Sequence, residues 1–79
     1  MNKNVIYKKI GKRVKEARKN IGITQNELAT KVGVSATYVS LIERGLSFPR
    51  GDVLVGMLNA LNISPNFVFC DVVNEVAYT

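Results

Sequence analysis

The sequence predicts an all-α protein, five short helices in one domain. Three observations carry that reading. The chain has 79 residues, which allows a single small core. Its apolar residues recur at spacings of three and four, the period of an amphipathic helix rather than the alternation of a strand. The periodic segments are separated by helix punctuation, with Thr24, Ser35 and Ser64-Pro65 at starts and Gly22, Gly33 and Gly45 at stops. A hydrophobic content of 47% is normal for a globular chain and too high for a disordered one.

The first helix covers residues 5–21, where Ile6, Ile10, Val14, Ala17 and Ile21 form one apolar stripe and Lys or Arg fill the other faces. Gly11 weakens its middle by about 1 kcal/mol relative to alanine, so fraying is expected before it. Thr24-Gln25-Asn26-Glu27 is a capping box that opens the second helix, with Leu28, Ala29 and Val32 inward and Gly33 ending it. Ser35 caps a third helix from Ala36 to about Arg44, with Val39 and Ile42 inward. Leu46-Ser47-Phe48-Pro49 is a loop. A fourth helix runs to about Leu61, with Leu54, Met57, Leu58 and Leu61 on one side. Ser64 caps a short fifth helix that begins at Pro65 and carries Phe67, Val68 and Phe69.

Net charge is +5, unevenly spread. Residues 1–50 hold all eleven bases against three acids, a net of +8, while residues 51–79 hold three acids and no base. A basic half joined to an apolar, slightly acidic tail predicts an anion-binding surface backed by an association element. With no histidine and one cysteine, His-dependent catalysis, an internal disulfide and a zinc set are all excluded. No run of apolar residues reaches the roughly 18–20 needed for a membrane span, and no signal-peptide core is present. The expectation is a soluble, cytoplasmic, non-enzymatic module without metal, cofactor, membrane contact or evident small-molecule ligand.

The stretch from Gln25 to Arg44 carries the functional pattern. Ala29 is small where two crossing helices need close approach, Gly33 sits at the turn, and Val34, Val39 and Ile42 supply apolar contacts that lock the second helix onto the first. This is the pattern of a helix-turn-helix, whose second helix enters the DNA major groove.

The chain resembles the lambda-repressor-like helix-turn-helix domains, the group of phage Cro and repressor proteins and bacterial XRE regulators. The matching residues run from Ile10-Gly11-Lys12-Arg13-Val14 through Gly22-Ile23-Thr24-Gln25-Asn26-Glu27-Leu28-Ala29 and Gly33-Val34-Ser35. They continue through Tyr38-Val39-Ser40, Ile42-Glu43-Arg44-Gly45 and Pro49 to Ala60-Leu61-Asn62-Ile63-Ser64-Pro65. The resemblance covers about residues 10–69, with the helix-turn-helix motif at about 25–44 and a tail at 70–79. It implies a five-helix domain that binds double-stranded operator DNA as a dimer on a two-fold site and regulates transcription, as a repressor in this reading. It places Gln25 on a phosphate and against the recognition helix, and Ala36, Thr37 and Leu41 at base edges. Tyr38 and Ser40 stand beside them at the sugar-phosphate backbone or a base, Ser35 joins the DNA-binding set, and Arg44, Ser47 and Arg50 fall in the stretch that touches phosphates. Arg18 and Glu43 match a partly buried structural salt bridge.

The helical register turns Leu41 away from Val39 and Ile42, which suits contact with a thymine methyl. No Arg or Lys stands on the reading positions, so discrimination rests partly on shape and apolar contact. The chain departs from the family where Arg50 takes the usual capping position, which makes Asp52 the better cap and starts the fourth helix two residues late. Gly51 and Gly56 loosen that helix, and Phe48 is either a core plug or an exposed anchor. Phe67, Phe69, Val72, Val73, Val76 and Tyr78 give the C-terminal part an apolar surface suited to a homodimer axis, although the spacing leaves the secondary structure of the tail open. Cys70 reads as a small buried hydrophobe. The alternative function is a protein-interaction module on the same fold, antitoxin-like or regulator-binding, which only the apolar tail favours.

Overall fold

The computed structural model describes the backbone of residues 2–77 and the side chains of residues 2–73. Five helices follow in order: α1 Lys3–Asn20, α2 Gln25–Val32, α3 Ala36–Glu43, α4 Gly51–Leu61 and α5 Pro65–Ala77. No strand occurs among the described residues, and no single helix among them is long and apolar enough to cross a membrane.

Local chemistry sets the helix starts. The Asn2 side chain accepts from the Val5 N–H, the Thr24 hydroxyl from that of Glu27, the Ser35 hydroxyl from that of Tyr38, and the Ser64 hydroxyl from that of Phe67. The Thr24 capping box is complete, because the Glu27 carboxylate also accepts from the Thr24 N–H at 2.9 Å. Hydrogen bonding from Thr24, its backbone N–H foremost, holds the Glu27 carboxyl below its ordinary value.

Helix α4 starts differently from expectation. Gly51 is its first residue, Arg50 stands in the N-cap position with extended backbone, and no side chain caps it. Asp52 instead lies in the first turn, with its carboxylate 3.4 Å from the Arg50 guanidinium. The first turn closes without it, through a 2.8 Å hydrogen bond from the Leu54 N–H to the Arg50 carbonyl.

The core is built by Val14, Ala17, Leu28, Ala29, Val39, Ile42, Val53, Met57 and Leu61. In α4 the buried row is Val53, Met57 and Leu61, while Leu54 and Leu58 are only half-buried. That helix is apolar over most of its circumference, so its neighbours choose the inner face. Gly56 lies against α2, where a Cβ would stand 3.2 Å from a methyl of Val32. Ile21, assigned to the α1 stripe, is the C-cap residue and lies 47% exposed.

Helix α1 is continuous through Gly11, which is buried and shows no break. Here α1 crosses the end of α3. A Cβ on Gly11 would overlap the Ile42 carbonyl oxygen and stand 2.8 Å from that of Glu43. The glycine that looks like a weak point in the sequence is the place where two backbones touch. Residues 70–77 continue α5, which packs chiefly on α1 and has Val68 fully buried.

Candidate nucleic-acid interface

Helices α2 and α3 pack tightly through Leu28, Ala29, Val39 and Ile42, all buried. The turn between them depends on Gly33, whose φ of 84° is the left-handed conformation that a side chain disfavours. There the Gly33 and Val34 N–H groups both donate to the Ala29 carbonyl, at 2.8 and 3.0 Å. The chain then re-enters a helix at once through the Ser35 cap. Eight residues make α3 two turns long, too short for a helix that must be stable on its own. Its order comes from its supports.

The first support is a buried ionic cluster. Arg18 of α1 donates to both carboxylate oxygens of Glu43, from Nε at 2.7 Å and from Nη2 at 3.1 Å, and its Nη1 donates to the Ile23 carbonyl at 2.8 Å. Gln25, at the start of α2, donates its side-chain N–H to Glu43 Oε1 at 3.1 Å. Three helices thus converge on one carboxylate at the end of α3, and the Glu43 side chain is only 1% exposed.

The second support is the segment after α3. Gly45, with φ of 75°, lies so close to α1 that a Cβ would stand 2.6 Å from Lys8 Cγ and 2.7 Å from Lys8 Cα. The Leu46 N–H returns to the Leu41 carbonyl at 2.9 Å. The Tyr38 hydroxyl accepts from the Arg50 N–H at 3.1 Å and donates to the Phe48 carbonyl at 3.4 Å, with Pro49 buried between them. Phe48 stacks on Tyr7 of α1 with ring centroids 5.3 Å apart. It is neither a core plug nor a free anchor, since this ring covers one face and 36% of the residue stays exposed.

The residues singled out from the sequence therefore divide. Thr37, Arg44 and Arg50 are exposed around the outer side and end of α3. Gln25, Ser40, Leu41 and Ser47 are half-buried, and Leu41 is better covered than the solvent-facing position that its register suggests. Ala36 and Tyr38 are half-buried and pack against the core. Ser35 is exposed with its hydroxyl oxygen engaged in the cap. Arg18 and Glu43 face inward. In the proposed dimer set, Phe67 and Phe69 are half-buried, as is Val72, and Val73 is 47% exposed. The side chains of Val76 and Tyr78 lie outside the described residues.

Charge divides as well. Of the eleven bases, Arg18 is consumed inside, Arg13 is bound to Asp71 of α5, and Arg50 leans toward Asp52. Lys3, Lys8, Lys12, Lys15, Lys19, Lys31 and Arg44 remain exposed, and Lys9 is half-buried. The sequence reading did not identify Gly11, Gly45 and Arg13 as fixing residues. For Gly11 a signal existed, since a glycine inside an otherwise good helix often marks close backbone approach.

Comparison with known proteins agrees with this geometry. A helix-turn-helix family model matches residues 14–68. The HTH-type transcriptional regulator ImmR of Bacillus subtilis is 37% identical over 59 residues, covering 75% of this chain and 46% of that protein. Repressor protein C2 of Salmonella phage P22 is 36% identical over 59 residues, covering 75% of this chain and 27% of that protein. The chain thus spans less than half the length of these relatives. Among solved structures, the restriction-modification controller protein C.AhdI from Aeromonas hydrophila superposes with a TM-score of 0.75 at 32% identity, covering 80% of this chain and 96% of that one. With the capped α2, the Gly33 turn and the propped α3 all in place, the chain belongs to the XRE-type, lambda-repressor-like helix-turn-helix family.

Proposed function

We propose that this chain is a sequence-specific DNA-binding regulator of transcription, acting as a repressor, that lays α3 in the major groove and binds a pseudo-palindromic operator as a homodimer. The observation that carries the reading is the face of α3. Its one acid, Glu43, is turned inward and neutralised, while Thr37 and Arg44 are exposed on it and Arg50 follows in the next segment. Gln25, Ser35, Ala36, Tyr38, Ser40, Leu41 and Ser47 complete the proposed contact set. The naming of one relative as a transcriptional regulator and of another as a repressor supports the same reading.

A dimer follows from the small size of one recognition helix. It spans only a few base pairs, whereas two copies about 34 Å apart read successive major grooves. Val72 and Val73 of α5 are the described part of the proposed dimer contact, to which the reading adds Phe67, Phe69, Val76 and Tyr78. The test is binding to operator DNA selected from random sequence, measured across salt. If each subunit makes about three phosphate contacts, log K falls with log salt at a slope near −5, while a slope shallower than about −2 favours a protein partner instead. Deleting residues 72–79 lowers operator affinity steeply and spares non-specific binding. A truncated chain that still binds the operator cooperatively, or a full chain that stays monomeric at high concentration, overturns the dimer.

A further inference from the structure

Helix α5 packs on α1 with Val68 buried, and one side chain of α1 ties it at two further points. Arg13 of α1 donates to both oxygens of Asp71, from Nε at 3.0 Å and Nη2 at 2.9 Å. Its guanidinium carbon also lies 5.1 Å from the centre of the Phe67 ring. Phe67 and Asp71 are four residues apart and share one face of α5, so a planar, rigid group grips the helix at two points one turn apart. A two-point grip fixes rotation about the helix axis as well as position along it. Hydrogen bonding to Arg13 holds the Asp71 carboxyl below its ordinary value, and Lys9 acts in the same direction.

The pair is not a stability device. The Arg13 and Asp71 side chains are 26% and 41% exposed, and ion pairs of this kind contribute little to folding. Its content is geometric. Beyond Asp71, α5 continues to Ala77, so the angle set at Arg13 is carried to the end of the helix. A tilt of about 10° displaces a recognition helix about 34 Å away by roughly 6 Å, which is nearly two base-pair steps.

We propose that Arg13 is a positioning residue for operator recognition, clamping Phe67 and Asp71 so that α5 sets the half-site spacing the dimer accepts. The inference rests on the α5 dimer argued above. Its test uses the full chain and duplexes carrying two copies of the half-site that the wild type selects, with the spacer varied in single base pairs. Three readouts are taken: oligomeric state by sedimentation, affinity for one half-site, and affinity across spacers.

The wild type prefers one spacer. Arg13→Met still dimerises and binds one half-site normally, but its preference for the best spacer over the next falls about five- to ten-fold, the size of coupling expected for a contact pair. The exchange Arg13→Asp with Asp71→Arg re-forms the ion pair but not the contact with the Phe67 ring, so it recovers only part of the preference, whereas full recovery reduces the grip to its ion pair. Should Arg13→Met fail to fold, Arg13→Lys keeps the charge without the planar fork, and Asp71→Asn removes the other partner. A dimeric variant with the wild-type spacer profile overturns the proposal. A wild type that is monomeric on its DNA, or indifferent to spacing, refutes the α5 dimer itself and this inference with it.

Discussion

Glu43→Ala tests how the recognition helix is held. In the native fold, Arg18 Nε, Arg18 Nη2 and Gln25 Nε2 all donate to this carboxylate, at 2.7, 3.1 and 3.1 Å. The Arg18 and Glu43 side chains are 10% and 1% exposed. Removing the carboxylate leaves a guanidinium, only 10% exposed, with one remaining acceptor, the Ile23 carbonyl. Breaking a buried pair in this way costs about 3–5 kcal/mol. At roughly 0.05–0.15 kcal/mol per residue, a chain of this size has about 4–12 kcal/mol in total, so the loss is a large share. In a thermal melt it appears as a drop of about 12 °C or more. Urea denaturation at constant m-value gives the energy directly. A loss below about 1 kcal/mol, the range of exposed pairs, refutes the reasoning. The double change Arg18→Met with Glu43→Leu separates charge from shape. It recovers most of the loss, because an apolar pair of similar volume has no stranded charge. If the double variant is as unstable as Glu43→Ala, an unpaired charge is not the cause.

Three further outcomes follow from the same geometry. Gly11→Ala destabilises by about 2 kcal/mol in urea although alanine is the better helix former, because the methyl meets the Ile42 and Glu43 carbonyls of α3. Tyr38→Phe removes the hydroxyl between Arg50 and Phe48, costs about 1 kcal/mol and speeds amide exchange at Arg50, whereas an unchanged exchange rate contradicts the bridge. Glu27 and Asp71 are both held below their ordinary values of 4.5 and 3.8, so their contribution is complete above those values and is lost as pH falls through the lowered ones. Thermal melts across that acid range flatten in Glu27→Gln, and only slightly in Asp71→Asn, whose exposed pair contributes little to folding.

What the sequence revealed was what local chemistry decides. The Thr24–Glu27 box, the Ser35 and Ser64 caps and the Gly33 turn involve groups within a few residues of each other, so their residue types suffice. The inner face of α4 was not legible, because Val53, Leu54, Val55, Met57 and Leu58 offer apolar side chains all round. The neighbours decide it, through the approach of Val32 to Gly56. The start of α4 was misread for a related reason. Asp52 is a good cap in isolation, but the Tyr38 hydroxyl fixes the backbone at Arg50 from twelve residues away. The Arg13–Asp71 grip spans 58 residues and left no local trace. In the candidate site, residue types identified the helix but not how covered Leu41 and Ala36 are, since packing decides that.

The supports of α3 all use its inner face or its ends. Leu28 and Ala29 press from α2, Gly11 and Arg18 from α1, and Gly45 closes its end against Lys8. This leaves the outer side of two turns free, and it carries no Arg or Lys between Ala36 and Glu43. In the proposed complex no bidentate grip on guanine is available, a contact worth about 1–3 kcal/mol of discrimination. Reading then falls to hydroxyl and apolar contacts, which lose their value within a fraction of an ångström. Such contacts discriminate only from a helix that is already ordered, since ordering it on binding would consume what they contribute. The exposed bases around α3 supply attraction without sequence preference, and the rigid seat of α3 turns weak contacts into a choice. Loss of a support should therefore weaken binding to every operator alike, whereas a change at Thr37 or Leu41 should reorder them.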